Sequence, residues 1–121
     1  MSLSVPHEAL LKTLAVMTRA DTNVKQIEVE AVQKIIDEEL GLTVTSGQVH
    51  LAAKAEFIER REIGKYLKSV LKQLDLEDKK TIVRSLKKIA LADGHAHARE
   101  IEMFNKVATT LQLTPADLVQ L

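Results

Sequence analysis

Two Asp and two Glu residues recur at one spacing in this chain: Asp21 with Glu28, and Asp93 with Glu100. In each pair six residues separate the acids, so a loop carboxylate precedes one in the first turns of a helix. If four such groups converge, leaving all of them ionised raises their pKa values by mutual repulsion, and a hard divalent cation resolves the conflict. Ca²⁺ takes six to eight oxygens and Mg²⁺ six, so carbonyls and water would complete the shell. Ca²⁺ or Mg²⁺ therefore suits Asp21, Glu28, Asp93 and Glu100 better than Zn²⁺. The spacing is not that of an EF-hand, whose bidentate acid belongs at the twelfth loop position, where this chain has Val32 and Phe104. The structural alternative is that the Asp residues close interhelical turns and the Glu residues bond helix N-terminal amides.

The pairs belong to a longer internal repeat. A shift of 72 residues places Ala20-Asp21 on Ala92-Asp93, Glu28 on Glu100, Glu30 on Glu102 and Lys34 on Lys106. Apolar positions follow: Leu14 pairs with Leu86, Met17 with Ile89, Val29 with Ile101, Val32 with Phe104 and Ile35 with Val107. Gly41-Leu42 meets Gln112-Leu113 after a one-residue slip. The halves, about 5–42 and 77–114, predict a pseudo-twofold bundle in which the third and fourth helices form the connection. Glu28 and Glu100 share a helix side with Val32 and Ile35, or Phe104 and Val107, and should point partly toward the bundle. Glu30 and Glu102 lie about 200° round the helix from them. Each precedes a Lys by four residues, which predicts exposed pairs contributing about 0.2–0.5 kcal/mol.

Helical spacing runs through almost the whole chain, and no segment shows sustained period-two alternation, so the fold class is all-α with roughly seven helices. The first is expected over about 5–20 with Ser4 as N-cap, turning Ala9, Leu10, Thr13, Leu14 and Met17 inward. The second, about 26–40, buries Ile27, Ala31, Val32, Ile35 and Ile36 and ends at Gly41 as a left-handed cap. Thr45 or Ser46 caps a third near 46–58. A fourth passes through Gly64 to Leu74, continuous with the third or broken around Glu59–Glu62, with Phe57, Ile58, Ile63, Tyr66, Leu67, Val70 and Leu71 as its apolar stripe. Asp75, with Asp78 three residues on, opens a fifth that carries Ile82, Leu86, Ile89 and Ala90 inward and ends near Ala92. A sixth spans about 98–111, and Thr114-Pro115-Ala116-Asp117 opens a short seventh.

At 121 residues the chain is one domain, 1–121. Seventeen Lys and Arg balance seventeen Asp and Glu, leaving no field to hold a phosphate backbone or an anionic membrane. Tyr66, Phe57 and Phe104 are the only rings available for stacking on bases. Nucleic acid is thus not an expected partner. The absence of Cys excludes disulfides, thiolate zinc sites and thiol catalysis. No apolar run approaches a membrane span, and Met1 to Thr13 lacks the basic start and long apolar stretch of a signal peptide, which suits a cytoplasmic protein. His95 and His97 alternate in the second acidic loop and are expected to face solvent; turned inward, either would shift the site toward Zn²⁺ or Ni²⁺. His7 and His50 have no partner at ligand spacing and read as surface or boundary residues. No phosphate loop, His-Glu-x-x-His helix or nucleophile elbow is present, so no enzyme is expected.

Ile89-Ala90-Leu91-Ala92-Asp93-Gly94, followed by Glu100 and an amphipathic helix, resembles the signature of the tellurite-resistance TerB-like family, a domain also found in DjlA-type co-chaperones. The likeness is strongest over 74–113 and weaker over 9–42. It implies an all-helical cytoplasmic bundle, with acidic loop and helix-start positions that bind a divalent metal, working as a non-enzymatic accessory module in bacterial stress or phage defence. That role carries onto Asp93 and Glu100 directly and onto Asp21 and Glu28 through the repeat. Thr22 stands where the second loop has Gly94, and Lys25 and His97 stand where the family often has a small hydroxyl cap. The other reading is a protein-interaction or self-association module, with an unidentified protein partner or a homodimer, in which the acids are structural.

Overall fold

The computed structural model describes residues 4–17, 26–56, 61–91, 98–119 and 121, in side-chain detail except at 26–28, 53–56, 61–62 and 99. Among them lie seven α-helices: α1 (Val5–Met17), α2 (Gln26–Leu40), α3 (Ser46–Glu56), α4 (Arg61–Val70), α5 (Leu76–Ala90), α6 (Ala98–Thr110) and α7 (Pro115–Val119), with a 3-10 turn at Leu71–Gln73 after α4. The described residues contain no strand. The all-α expectation holds. Whether α3 and α4 are continuous depends on residues 57–60, which lie outside the described residues, as do Phe57 and Ile58 of the expected stripe; the Ile27 side chain is likewise outside them.

Local chemistry sets the helix ends. Ser4 Oγ accepts from the His7 amide at 3.3 Å to open α1. Thr45, rather than Ser46, opens α3: its Oγ1 accepts from the Gln48 amide at 3.0 Å while Gln48 Oε1 accepts from the Thr45 amide at 2.7 Å. The same reciprocal box joins Asp75 with Asp78 at the start of α5 and Thr114 with Asp117 at the start of α7. Gly41 leaves α2 with φ +66°, the left-handed conformation expected of it, and Gln112 leaves α6 with φ +61°.

The repeat is visible in the element bounds: α2 and α6 begin at the equivalent residues Gln26 and Ala98, and α5 covers the counterpart of α1. The equivalent helices α1 and α5 pack on one another, α2 packs on α1, and α6 packs on α5. Leu14 and Leu86, Met17 and Ile89, and Ile35 and Val107 are buried pairs, as expected. The halves part company where α4 contacts both α1 and α6, whereas α2 contacts α5 and α3.

Helix α1 buries far more than one face. Besides the expected residues, Leu11, Ala15 and Val16 are buried, because α2, α3, α4 and α5 all pack around this helix. Lys12 is only partly buried: its ammonium pairs with Glu8 at 2.9 Å and lies 4.4 Å from the centre of the Tyr66 ring on α4. On α6, Lys106 folds toward α4, where a Cβ added to Gly64 would lie 3.3 Å from Lys106 Cε. A side chain at position 64 would therefore make a tight contact that Lys106 must shift by a few tenths of an ångström to relieve.

Buried hydroxyls occupy equivalent places in the repeat. Thr13 Oγ1 donates to the Ala9 carbonyl at 2.7 Å, but its counterpart Ser85, also buried, has an Oγ without a hydrogen-bond partner among the described residues. Removing an unsatisfied buried hydroxyl removes a desolvation cost. Ser85→Ala is expected to raise unfolding stability in urea by about 1 kcal/mol; a loss of similar size would show that the hydroxyl is bonded.

Candidate functional site

Glu100 is the third residue of α6, and Glu28 holds the same place in α2. Helical phase predicts that both lean toward the bundle. For Glu100 this is what the structure gives, since the residue is only 2 % exposed. A carboxylate in a first turn faces the positive helix pole, which offsets part of the cost of taking it out of water. The Glu28 side chain lies outside the described residues, as do Asp21, Asp93, His95 and His97, together with Thr22, Lys25 and Gly94. Of the four acids at the repeated spacing, the structure thus places Glu100 alone in side-chain detail. Among the described residues no three His, Cys, Asp or Glu side chains are grouped so as to hold a metal ion.

Glu30 and Glu102 are exposed, as expected, but their lysines go elsewhere. Lys34 pairs forward with Glu38 at 3.8 Å, and Lys106 is drawn over Gly64. No Glu30–Lys34 or Glu102–Lys106 ion pair forms among the described residues. Helical spacing brings such partners within reach without fixing which rotamer each adopts.

Glu100 lines a groove of about 380 Å³ whose other walls are Lys87, Ala90, Leu91, Ile101, Phe104, Leu118 and Leu121. It sits where the end of α5, one side of α6 and the α7 segment meet. Ile101 and Leu91 are each 49 % exposed, although Val29, the repeat counterpart of Ile101, is fully buried. The sequence pairs Ile101 with Val29 in the repeat, and that pairing gives no sign of this groove.

A smaller cavity of about 180 Å³ is lined by His7, Leu10, Glu39, Leu40, Glu77, Asp78 and Ile82 among others. His7 and His50 are half-buried boundary residues. Beside this cavity Glu39 accepts from Arg84 in a fork, at 2.8 Å from Nη2 and 3.3 Å from Nε, and from Lys88 at 3.4 Å. The Arg84 hydrogen bonds hold the Glu39 carboxyl below its ordinary pKa, against the opposing effect of burial. At α7, bonds from the Thr114 backbone and hydroxyl to Asp117 lower that carboxyl's pKa too.

No helix among the described residues is long and apolar enough to cross a membrane. No curated protein and no solved structure gives a significant match to this chain. The family model described as tellurite resistance protein TerB matches residues 7–121. With nearly the whole chain covered, and with the helical architecture described above, the chain belongs to the TerB family of tellurite resistance proteins.

Proposed function

We propose that the chain is a non-enzymatic, cytoplasmic accessory domain that binds a divalent cation through Asp93 and Glu100 in its second half and Asp21 and Glu28 in its first. The observation that carries this reading is Glu100, a carboxylate almost wholly removed from water at the third position of α6, with Glu28 at the same register of α2. The donor set is all oxygen, which fits Ca²⁺ or Mg²⁺ and disfavours Zn²⁺. A bound cation would neutralise the repeated acids and tie the two loops to the two helix starts.

Calorimetric titration of demetallated protein with Ca²⁺, Mg²⁺, Mn²⁺ and Zn²⁺ tests this. The expected result is cation-specific heat, strongest with Ca²⁺ or Mg²⁺ and lost in the Asp93→Asn, Glu100→Gln variant. No such heat in the parent protein would remove the metal-binding claim.

A further inference from the structure

We propose that α7 is a hinged strap: it swings away from the bundle while α5 and α6 stay folded, and so opens and closes the groove in which Glu100 is a wall. The elements on either side of the hinge are each complete without the other. Helix α6 ends on its own bonds, the Leu113 amide donating to the Ala108 carbonyl at 3.1 Å and the Gln112 amide to the Thr109 carbonyl at 3.0 Å, around the left-handed Gln112. The fully buried Leu111 anchors that end in the core. Helix α7 is closed on itself by the reciprocal Thr114–Asp117 bonds and by the Leu118 amide, which donates to the Thr114 carbonyl at 3.1 Å. None of these bonds joins α7 to another helix, so all of them survive when α7 turns about residues 112–114.

What holds α7 in place is slight. None of the residues from Pro115 to Val119 is buried, and Val119 is 85 % exposed. The main helix-to-helix packing of the bundle runs among α1 to α6. Leu118 and Leu121 are half-buried against the groove walls, and Lys79 and Lys80 of α5 attract the Asp117 carboxylate across a surface where water screens the charges. An element with so few buried apolar contacts opens at a small fraction of the free energy of global unfolding. The walls behind it are of the opposite kind: Ala90 is 6 % exposed and Glu100 2 %, and both line the groove beside Leu118 and Leu121. Access to them is what the strap controls. One consequence rests on the cation reading above: with Glu100 as a ligand, α7 sets how fast a cation enters and leaves, although α7 supplies none of the four repeated acids.

The chain has no Cys, so a single introduced thiol reports access to one place. Ala90→Cys puts it in the groove wall, and Ala9→Cys puts it on α1 at a position with no exposure. Each full-length variant is labelled with a thiol reagent in excess EDTA, with and without Leu118→Ser, and each rate is divided by that of the same variant unfolded in urea. Ala90→Cys is expected to react about a hundredfold faster than Ala9→Cys, because opening the strap does not require unfolding the core, and about tenfold faster again with Leu118→Ser. Its rate should change little in dilute urea, since the opening exposes little surface. If Ala90→Cys does not fold, Phe104→Cys on the α6 wall replaces it. Equal rates for the two thiols, or a groove thiol that Leu118→Ser does not accelerate, would overturn the strap. In a second arm, the chain with its natural Ala90 and Ala9 is loaded with Ca²⁺ or Mg²⁺ and mixed with EDTA, and Leu118→Ser should release the cation about tenfold faster than the parent. Equal release would overturn the gating of the cation, whereas a parent that binds no cation would overturn the metal reading and leave the strap decided by labelling.

Discussion

Leu86→Ala is expected to lower the unfolding free energy by about 2–5 kcal/mol, the range for removing a large aliphatic side chain from a core that cannot close over the gap. Leu86 is fully buried on α5, and α5 packs on α1, the helix at the centre of the bundle. Its repeat counterpart Leu14 is fully buried on α1, so Leu14→Ala should cost a similar amount. A domain of this size has about 5–15 kcal/mol in total, which means the double variant should be largely unfolded at room temperature. Ile101→Ala provides the contrast: half its surface is already in water, and a loss of about 1 kcal/mol or less is expected. Urea denaturation of the four variants beside the parent checks the series. A Leu86→Ala loss no greater than that of Ile101→Ala would mean that the α1–α5 contact is not the main core.

What could be read from the chain alone was local. The bounds of α2, the left-handed Gly41 and the capping boxes at Asp75 and Thr114 depend on residues within a few positions of each other, and the structure bears them out. The inward lean of Glu100 follows from helical phase in the same way. The rest depends on which helices become neighbours, and periodicity does not carry that information. Leu11, Ala15 and Val16 are buried because four helices surround α1, whereas the apolar spacing of α1 marks one preferred face. Ile101 is half-exposed, although the repeat pairs it with the fully buried Val29.

Arg84 and Glu39 stand 45 positions apart and join α5 to α2, a contact that no local spacing announces. Arg84→Met keeps the aliphatic stem over the helix surface while removing the fork. It is expected to cost about 1–3 kcal/mol at neutral pH, since Glu39 is left as a partly buried carboxylate without its main donor. Side-chain exposure of 16 % at Glu39 and 33 % at Arg84 places the pair between the surface and the interior, so the lower part of that range is favoured. The pH dependence follows from the lowered pKa of Glu39, caused first by the Arg84 hydrogen bonds. A carboxylate whose pKa falls on folding contributes stability that is complete above its unfolded value, about 4.5, and is lost as pH drops through the folded value. The gap between parent and Arg84→Met should therefore be widest at neutral pH and narrow steadily in acid, where Glu39 is protonated in both proteins. Lys88→Gln should change little, because Lys88 is more exposed and only supplements the fork. Urea melts of the three proteins across the acid range decide the matter: a gap that stays constant with pH would assign the loss to packing of the Arg84 stem and not to its charge.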